Sequence, residues 1–228
     1  SSLTRSEDFI AEAAHRVRTP LATVRTQAEV IHRGLEKSKN KTALREMIRA
    51  IDESSRSAGQ LLDHAMVNFR ADQFQTEAID LRKLTAETVE RLSPTAELKD
   101  ISIITQDQGG DFGFDGDPIL LLNALRNILD NAIKYSLADS DITVTLGRDA
   151  YNHIISFADQ GRGFAGANLG DHLQRFKRGT NVNDIVGSGL GLTIVDEVAR
   201  AHGGRVEIDN NTDTKGGGAC VSLYLPLV

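Results

Sequence analysis

The chain has 228 residues, of which 40% are hydrophobic and 25% charged; that is enough apolar material for one large or two small packed domains and argues against wholesale disorder. A net charge of −6 at pH 7 excludes a nucleic-acid binder that relies on general phosphate attraction. Cys220 is the only cysteine, which excludes an intramolecular disulfide and a cysteine metal cluster, and no apolar run approaches the ~20 residues that cross a bilayer.

A reducing, cytoplasmic setting without membrane contact fits these counts, and no signal peptide is read. The amphipathic pattern begins directly at Phe9, as expected for a piece of something longer. Ile10, Ala14, Val17, Leu21, Val24, Ala28, Ile31 and Leu35 follow at alternating steps of four and three, the a/d seam of a packed helix. Residues 36–42 (EKSKNKT) are polar and read as a hairpin turn. The seam resumes at Leu44, Ile48, Ile51, Ser55, Ala58, Leu62, Ala65 and Phe69. Two helices with one stripe each bury both stripes best by dimerising into a four-helix bundle. A monomeric hairpin packed on the rest of the chain is the other reading. His15 follows the seam residue Ala14 and takes an outward b position; Thr19 lies one turn later on the same face, and Pro20 removes a backbone donor and kinks the helix.

The composition changes near Phe74, after a polar linker over 71–76. Helices are expected over 81–99, with Pro94 interrupting or ending part of it, over 117–135, and over 189–201 with Gly203 as its terminating glycine. Asp117 is the expected N-cap of the second, with Pro118 at its first position. Strands are expected over 101–105, 142–146, 153–157, 206–209 and 219–225. This order predicts a mixed sheet covered on one face by helices, an α+β two-layer sandwich rather than alternating βαβ units. Residues 160–188 are rich in Gly, Asn and Asp and too long for an ordinary connection, which marks a functional or disordered segment.

Three short features in this half can carry chemistry, and each also fits a plain structural reading. Asn127 and Asn131 lie four apart on one helix face with Lys134 and Tyr135 just after; neutral amide oxygens suit a hard cation and a lysine suits a phosphate, but capping or solvent contact would use the same residues. Asp159-Gln160-Gly161-Arg162-Gly163-Phe164 ends a strand: an acid there can accept from an exocyclic amine, and glycines let backbone approach a flat ring, or the stretch is a glycine-rich loop. Although Gly161, Gly163 and Gly166 spell G-x-G-x-x-G, no parallel βαβ unit surrounds them. Gly187-Ser188-Gly189-Leu190-Gly191-Leu192 runs into a helix, whose free N–H groups attract phosphate, or else it is a hinge; no Lys-Ser/Thr follows, so it is not a Walker A loop.

Taken in order, the pieces resemble the sensor histidine kinases over nearly the whole chain. Residues 14–21 (AHRVRTPL) resemble the family's H box, 127–136 (NILDNAIKYS) its N box, 159–163 (DQGRG) its G1 box, 173–179 (LQRFKRG) its F box and 187–192 (GSGLGL) its G2 box. Residues 201–204 (AHGG) and 223–226 (LYLP) look like family endings as well. The resemblance implies an all-α antiparallel helical hairpin, dimerising into a four-helix bundle, over residues 1–72, and an ATP-binding domain over 73–228. It implies ATP and Mg²⁺ as cofactors, autophosphorylation on His15, and transfer to an aspartate on a response-regulator receiver domain.

By position, Asp159 would meet the adenine amine, and Asn131 with Asn127 would hold Mg²⁺. Lys134 and Tyr135 would line the phosphate and nucleoside side, and Gly161 and Gly163 would flank the nucleotide. Phe176 and Arg178 would place a lid of residues 166–186, and Gly187, Gly189, Leu190 and Gly191 would let it close over the phosphates. Thr19 matches the position linked to dephosphorylating the regulator. The family usually carries an acid directly after the histidine; Arg16 stands there instead, which also admits a nucleotide-gated dimeric module with weak or absent transfer.

Overall fold

The computed structural model describes residues 74–164, 191–210 and 217–227, together with separate helical positions between 24 and 70. Two compact units make up the chain, with Val67 and Arg70 counted in the second. Within the first unit, positions 24–26, 28, 31, 42, 44–48, 50, 51, 54, 58, 59, 62, 65 and 66 are all helical, on both stretches where the seam was read. The seam is unevenly covered in a single copy: Ala28 is buried at 4% exposure, while Val24 and Ile31 remain 44% and 56% exposed.

The second unit is a sheet-and-helix sandwich, its elements numbered here in chain order. Strands β1 (Glu77–Asp80) and β3 (Gly113–Gly116) form a small antiparallel pair. Strands β2 (Ile101–Asp107), β4 (Ser140–Arg148), β5 (Asn152–Ala158), β6 (Arg205–Asn210) and β7 (Ala219–Pro226) form the main sheet in the order β2-β4-β5-β7-β6. Only β2 and β4 pair in parallel. Three helices complete the layer: α1 (Leu81–Glu97), α2 (Pro118–Tyr135) and α3 (Gly191–Ala201).

The strand alternation builds the core directly. Val144 pairs Phe157, which pairs Val221, and Leu146 pairs Ile155, which pairs Leu223, so these six side chains share one face. They are buried with Leu121, Leu125, Ile128 and Leu129 of α2 and Ile194, Val195 and Val198 of α3 in one apolar cluster. Each such large side chain contributes about 1.5–3 kcal/mol on burial. Because α2 is apolar on its buried face only, its other face is left to carry polar groups.

Local signals account for the ends of α2. Asp117 is its N-cap, with Oδ1 accepting from the N–H groups of Ile119 and Leu120, and Pro118 occupies the first position. At the other end Lys99 Nζ donates to the carbonyls of Ile133 and Lys134 at 2.9 and 3.1 Å, tying the turn after α1 to the last carbonyls of α2. Gly203 takes a left-handed φ of +69° just past α3, as a terminating glycine should.

Several expectations are corrected. Pro94 does not break α1, which continues to Glu97, where Leu98 N–H reaches back to the Pro94 carbonyl. A proline one turn from the end costs a helix only one backbone bond, and the helix tolerates it. The strands run longer than expected because backbone pairing continues past the β-branched runs. The β1–β3 pair, only four residues per strand, was not anticipated. The described part of α3 begins at Gly191.

A buried polar network joins the ends of these helices. Arg70 Nε donates to Asp117 Oδ2 at 2.9 Å, with the two side chains 10% and 1% exposed. The Asp117 N–H donates to His202 Nε2 at 3.0 Å, and His202 Nδ1 meets the Val198 carbonyl at 2.8 Å. The carbonyl can only accept, so the proton is on Nδ1 and His202 is neutral. Burial holds its pKa below the ordinary imidazole value, and protonation would also turn Nε2 into a second donor facing the Asp117 N–H.

Candidate functional site

Two groups of residues gather along α2, one on its polar face and one at its C-terminal end. Asn127 and Asn131 share a face of that helix at one-turn spacing, Asn127 buried at 8% exposure and Asn131 half-buried. Gly191, the first residue of α3, lies directly over them. A methyl group at Gly191 would stand 3.1 Å from Asn131 Nδ2, 3.3 Å from Asn127 Oδ1 and 3.7 Å from Asn131 Oδ1. Two neutral amides therefore converge on Gly191, where the described part of α3 begins.

Lys134 and Tyr135 close α2, the ammonium lying 4.9 Å from the centre of the Tyr135 ring. From there the chain leads straight to a second segment: Ser136 pairs with Gly161 in an isolated antiparallel bridge. Gly161 is required at this contact, since any side chain there would run into the Tyr135 carbonyl.

Asp159 follows β5 and is 5% exposed. Its Oδ1 accepts from the N–H groups of Gly161 at 2.8 Å and Ala219 at 3.0 Å, which sets the carboxylate plane. Desolvation raises its pKa above the ordinary carboxylate value, and the two amide hydrogen bonds offset part of that rise. The turn after it is held from the far edge of the sheet. Asn210, at the end of β6, accepts from Phe164 N–H at 2.6 Å through Oδ1 and donates to the Phe164 carbonyl at 3.1 Å through Nδ2. Gly163 has a left-handed φ of +64°, and a methyl group there would lie 2.7 Å from Asn210 Oδ1.

The structure thus brings together Asn127, Asn131 and Gly191, and separately joins the end of α2, with Lys134 and Tyr135, to the loop holding Asp159, Gly161 and Gly163. His15, Arg16, Thr19, Phe176, Arg178, Gly187, Gly189 and Leu190 lie outside the described residues. Sequence reasoning missed Asn123, Ala219 and Asn210. Asn123 was within reach of it, because Asn123, Asn127 and Asn131 recur every four residues; Ala219 and Asn210 act on partners about 50 residues away and leave no local signal.

The donor set suits a hard divalent cation: magnesium takes one or two protein oxygens alongside phosphate and retained water. Among the described residues no group of three or more His, Cys, Asp or Glu side chains could hold a metal on its own. A cation here would be shared with a phosphate ligand. Also among the described residues, no helix is long and apolar enough to cross a membrane.

Two family descriptions match the chain: "His Kinase A (phospho-acceptor) domain" over residues 5–67, and "Histidine kinase-, DNA gyrase B-, and HSP90-like ATPase" over residues 116–228. The chain is 33% identical over 213 residues to the sensor protein QseC of Salmonella typhi, covering 92% of this chain and 46% of that protein. It is 28% identical over 225 residues to the sensor protein BasS of Escherichia coli K12, covering 98% and 60%. The chain therefore spans about half the length of the relatives it matches. Among solved structures, the mycobacterial sensor histidine kinase MprB superposes with a TM-score of 0.59 at 28% identity, covering 66% of this chain and 97% of that one. With both matched segments in the order the motifs predicted, the chain belongs to the sensor histidine kinase family.

Proposed function

We propose that this chain binds ATP with Mg²⁺ at the polar side of α2, transfers the γ-phosphoryl group to His15, and passes it on to an aspartate of a response-regulator receiver domain. The observation that carries this reading is the meeting of two amide side chains with Gly191 on one face of α2, together with a buried acid, fixed by two backbone amides, in the loop that joins the end of the same helix. Asp159 accepts from the adenine amine. Lys134 and Tyr135 line the phosphate and nucleoside side, and the α3 N-terminus faces the phosphates. Mg²⁺, when bound to Asn127 and Asn131, neutralises phosphate charge. Phe176, Arg178 and the glycines Gly187, Gly189 and Gly191 act on lid closure.

In the transfer, a neutral imidazole nitrogen of His15 forms the P–N bond as the bond from phosphorus to the β,γ-bridging oxygen breaks, ADP leaves, and the other ring nitrogen releases its proton. Catalysis is then positioning and charge neutralisation. Residues 1–72 supply the phosphoacceptor, residues 73–228 the nucleotide site, and Thr19 serves removal of phosphate from the regulator. ATP and a receiver domain as substrates fit work in the cytoplasm. Weak transfer has only Arg16 in its favour.

Incubating the chain with γ-labelled ATP and Mg²⁺ tests the reading: acid-labile, alkali-stable label is expected, and it should vanish in His15→Gln. Label that persists in that variant overturns the assignment of His15.

We also propose a homodimer through the seam. Val24 and Ile31 lie on the a/d stripe yet stay about half exposed in one copy, which a second copy would cover. Replacing Val24 and Leu62 with glutamate is expected to give monomers in light scattering. A wild-type chain that is already monomeric at micromolar concentration rules the dimer out.

A further inference from the structure

Asn123 lies one turn before Asn127 on α2, and neither composition nor motif assigned it a role. Its position becomes informative through hydrogen bonds that can be read in only one direction. Asn127 Nδ2 lies 2.9 Å from the Asn123 backbone carbonyl and 3.2 Å from Asn123 Oδ1. The backbone carbonyl can only accept, so the atom facing it is the amide nitrogen and not the amide oxygen. Asn123 is oriented in the same way, because Arg126 Nη2 donates to its Oδ1 at 3.1 Å and a guanidinium can only donate.

The series runs from Arg126 to Asn123 Oδ1, and from Asn127 Nδ2 to that same oxygen and to the carbonyl. Both amide protons of Asn127 are consumed on its own helix. What Asn127 presents to Gly191 and Asn131 is its oxygen, 3.3 Å from where a Gly191 methyl group would stand. Without the Asn123 side chain, one amide proton of Asn127 loses its partner. The amide is then held only by its bond to the backbone carbonyl, so the orientation that keeps a donor away from the cation's place is less firmly fixed.

We infer that Asn123 is a positioning residue for the metal half of the nucleotide site: by taking the second amide proton of Asn127, it makes Asn127 an acceptor-only group facing a divalent cation. This rests on the proposed metal role of Asn127. The role is orientational, so it should appear in metal affinity and not in nucleotide affinity without metal.

The test uses the full chain with Mn²⁺ as probe, its binding followed by electron paramagnetic resonance in the presence of ATP. ATP binding in EDTA is measured alongside as a check on folding and on the adenine side. Asn123→Leu keeps the volume and removes the acceptor. Loss of one neutral hydrogen bond should weaken Mn²⁺ by about threefold to tenfold, with ATP binding in EDTA unchanged. On an Asn127→Asp background, where both side-chain oxygens are acceptors and orientation no longer matters, Asn123→Leu should have no effect.

Equal losses on the two backgrounds, or no loss on either, overturn the positioning role. If Asn127→Ala leaves Mn²⁺ affinity unchanged, the metal reading itself fails. If Asn127→Ala weakens Mn²⁺ and Asn123→Leu does not, only the inference about Asn123 fails.

Discussion

Replacing Asp159 with alanine is expected to weaken ATP binding by roughly 10- to 150-fold while leaving the proposed seam-mediated dimer intact. The magnitude is that of one charge-assisted hydrogen bond, about 1.5–3 kcal/mol. The surroundings of Asp159 suit the bond proposed for it. Two backbone amides fix its plane through one oxygen, and desolvation raises its pKa. A carboxyl group at 5% exposure is short of water, so water competes little with a donor arriving from a ligand.

The same burial has a cost in the unliganded protein, and its sign follows from the raised pKa. A group whose folded pKa lies above its unfolded value adds stability below the ordinary carboxylate range and loses it as pH rises through the folded pKa. At neutral pH the buried Asp159 carboxyl therefore costs stability. Asp159→Asn keeps an oxygen for Gly161 and Ala219 and removes the charge. It should raise the unliganded melting temperature at pH 7, and the gain should shrink as pH falls toward 4. ATP affinity should fall in both variants. Calorimetry showing unchanged affinity in Asp159→Ala removes this residue from the site.

Arg70→Met is expected to destabilise the second unit by about 3–5 kcal/mol, the usual consequence of leaving a buried charge without its partner. In a protein of this size that is roughly a 6–20 °C fall in melting temperature. Asp117 is the group left behind, at 1% side-chain exposure, and it also caps α2 through Oδ1. Asp117→Ala should cost at least as much, since it removes a cap worth about 1 kcal/mol as well as the pair. Asp117→Asn should cost less than alanine because a capping oxygen remains. Equal melting temperatures for Arg70→Met and wild type would show that water relieves Asp117.

The third member of the network adds a pH dependence. His202 has a depressed pKa, so its contribution is present above about 6.5 and is lost as pH falls through its lower folded value. Acidification and Arg70→Met therefore strain the same junction, between the starts of α2 and the end of α3.

Several elements were legible in the residues alone. The alternation in 142–146 and 153–157 marked two strands, because one face of each meets a core of α2 and α3 side chains. Asp117-Pro118 marked the start of α2, because capping chemistry is local to three or four residues. Asn127 and Asn131 were visible through their one-turn spacing, and Asp159 through the glycines after it. The β1–β3 pair was not legible: strands of four residues are too short for an alternation to be read with any weight. Pro94 was no stop for α1, because it removes one backbone donor only and the helix runs on past it to Glu97.

What the sequence determined by itself was therefore whatever depends on neighbours within about one turn or one strand: the helices and their caps, the strand faces, the heptad seam and the ordered motifs that carry the family resemblance. Tertiary structure alone decided the long-range pairings. It placed Asn210 on Phe164, Ala219 on Asp159, Lys99 on the last carbonyls of α2, and Arg70 and His202 on Asp117. Each of these is one or two polar contacts between segments 34 to 85 residues apart. A single hydrogen bond imposes no periodicity on either segment, so only the folded chain, which must satisfy every buried donor and acceptor at once, selects the partner.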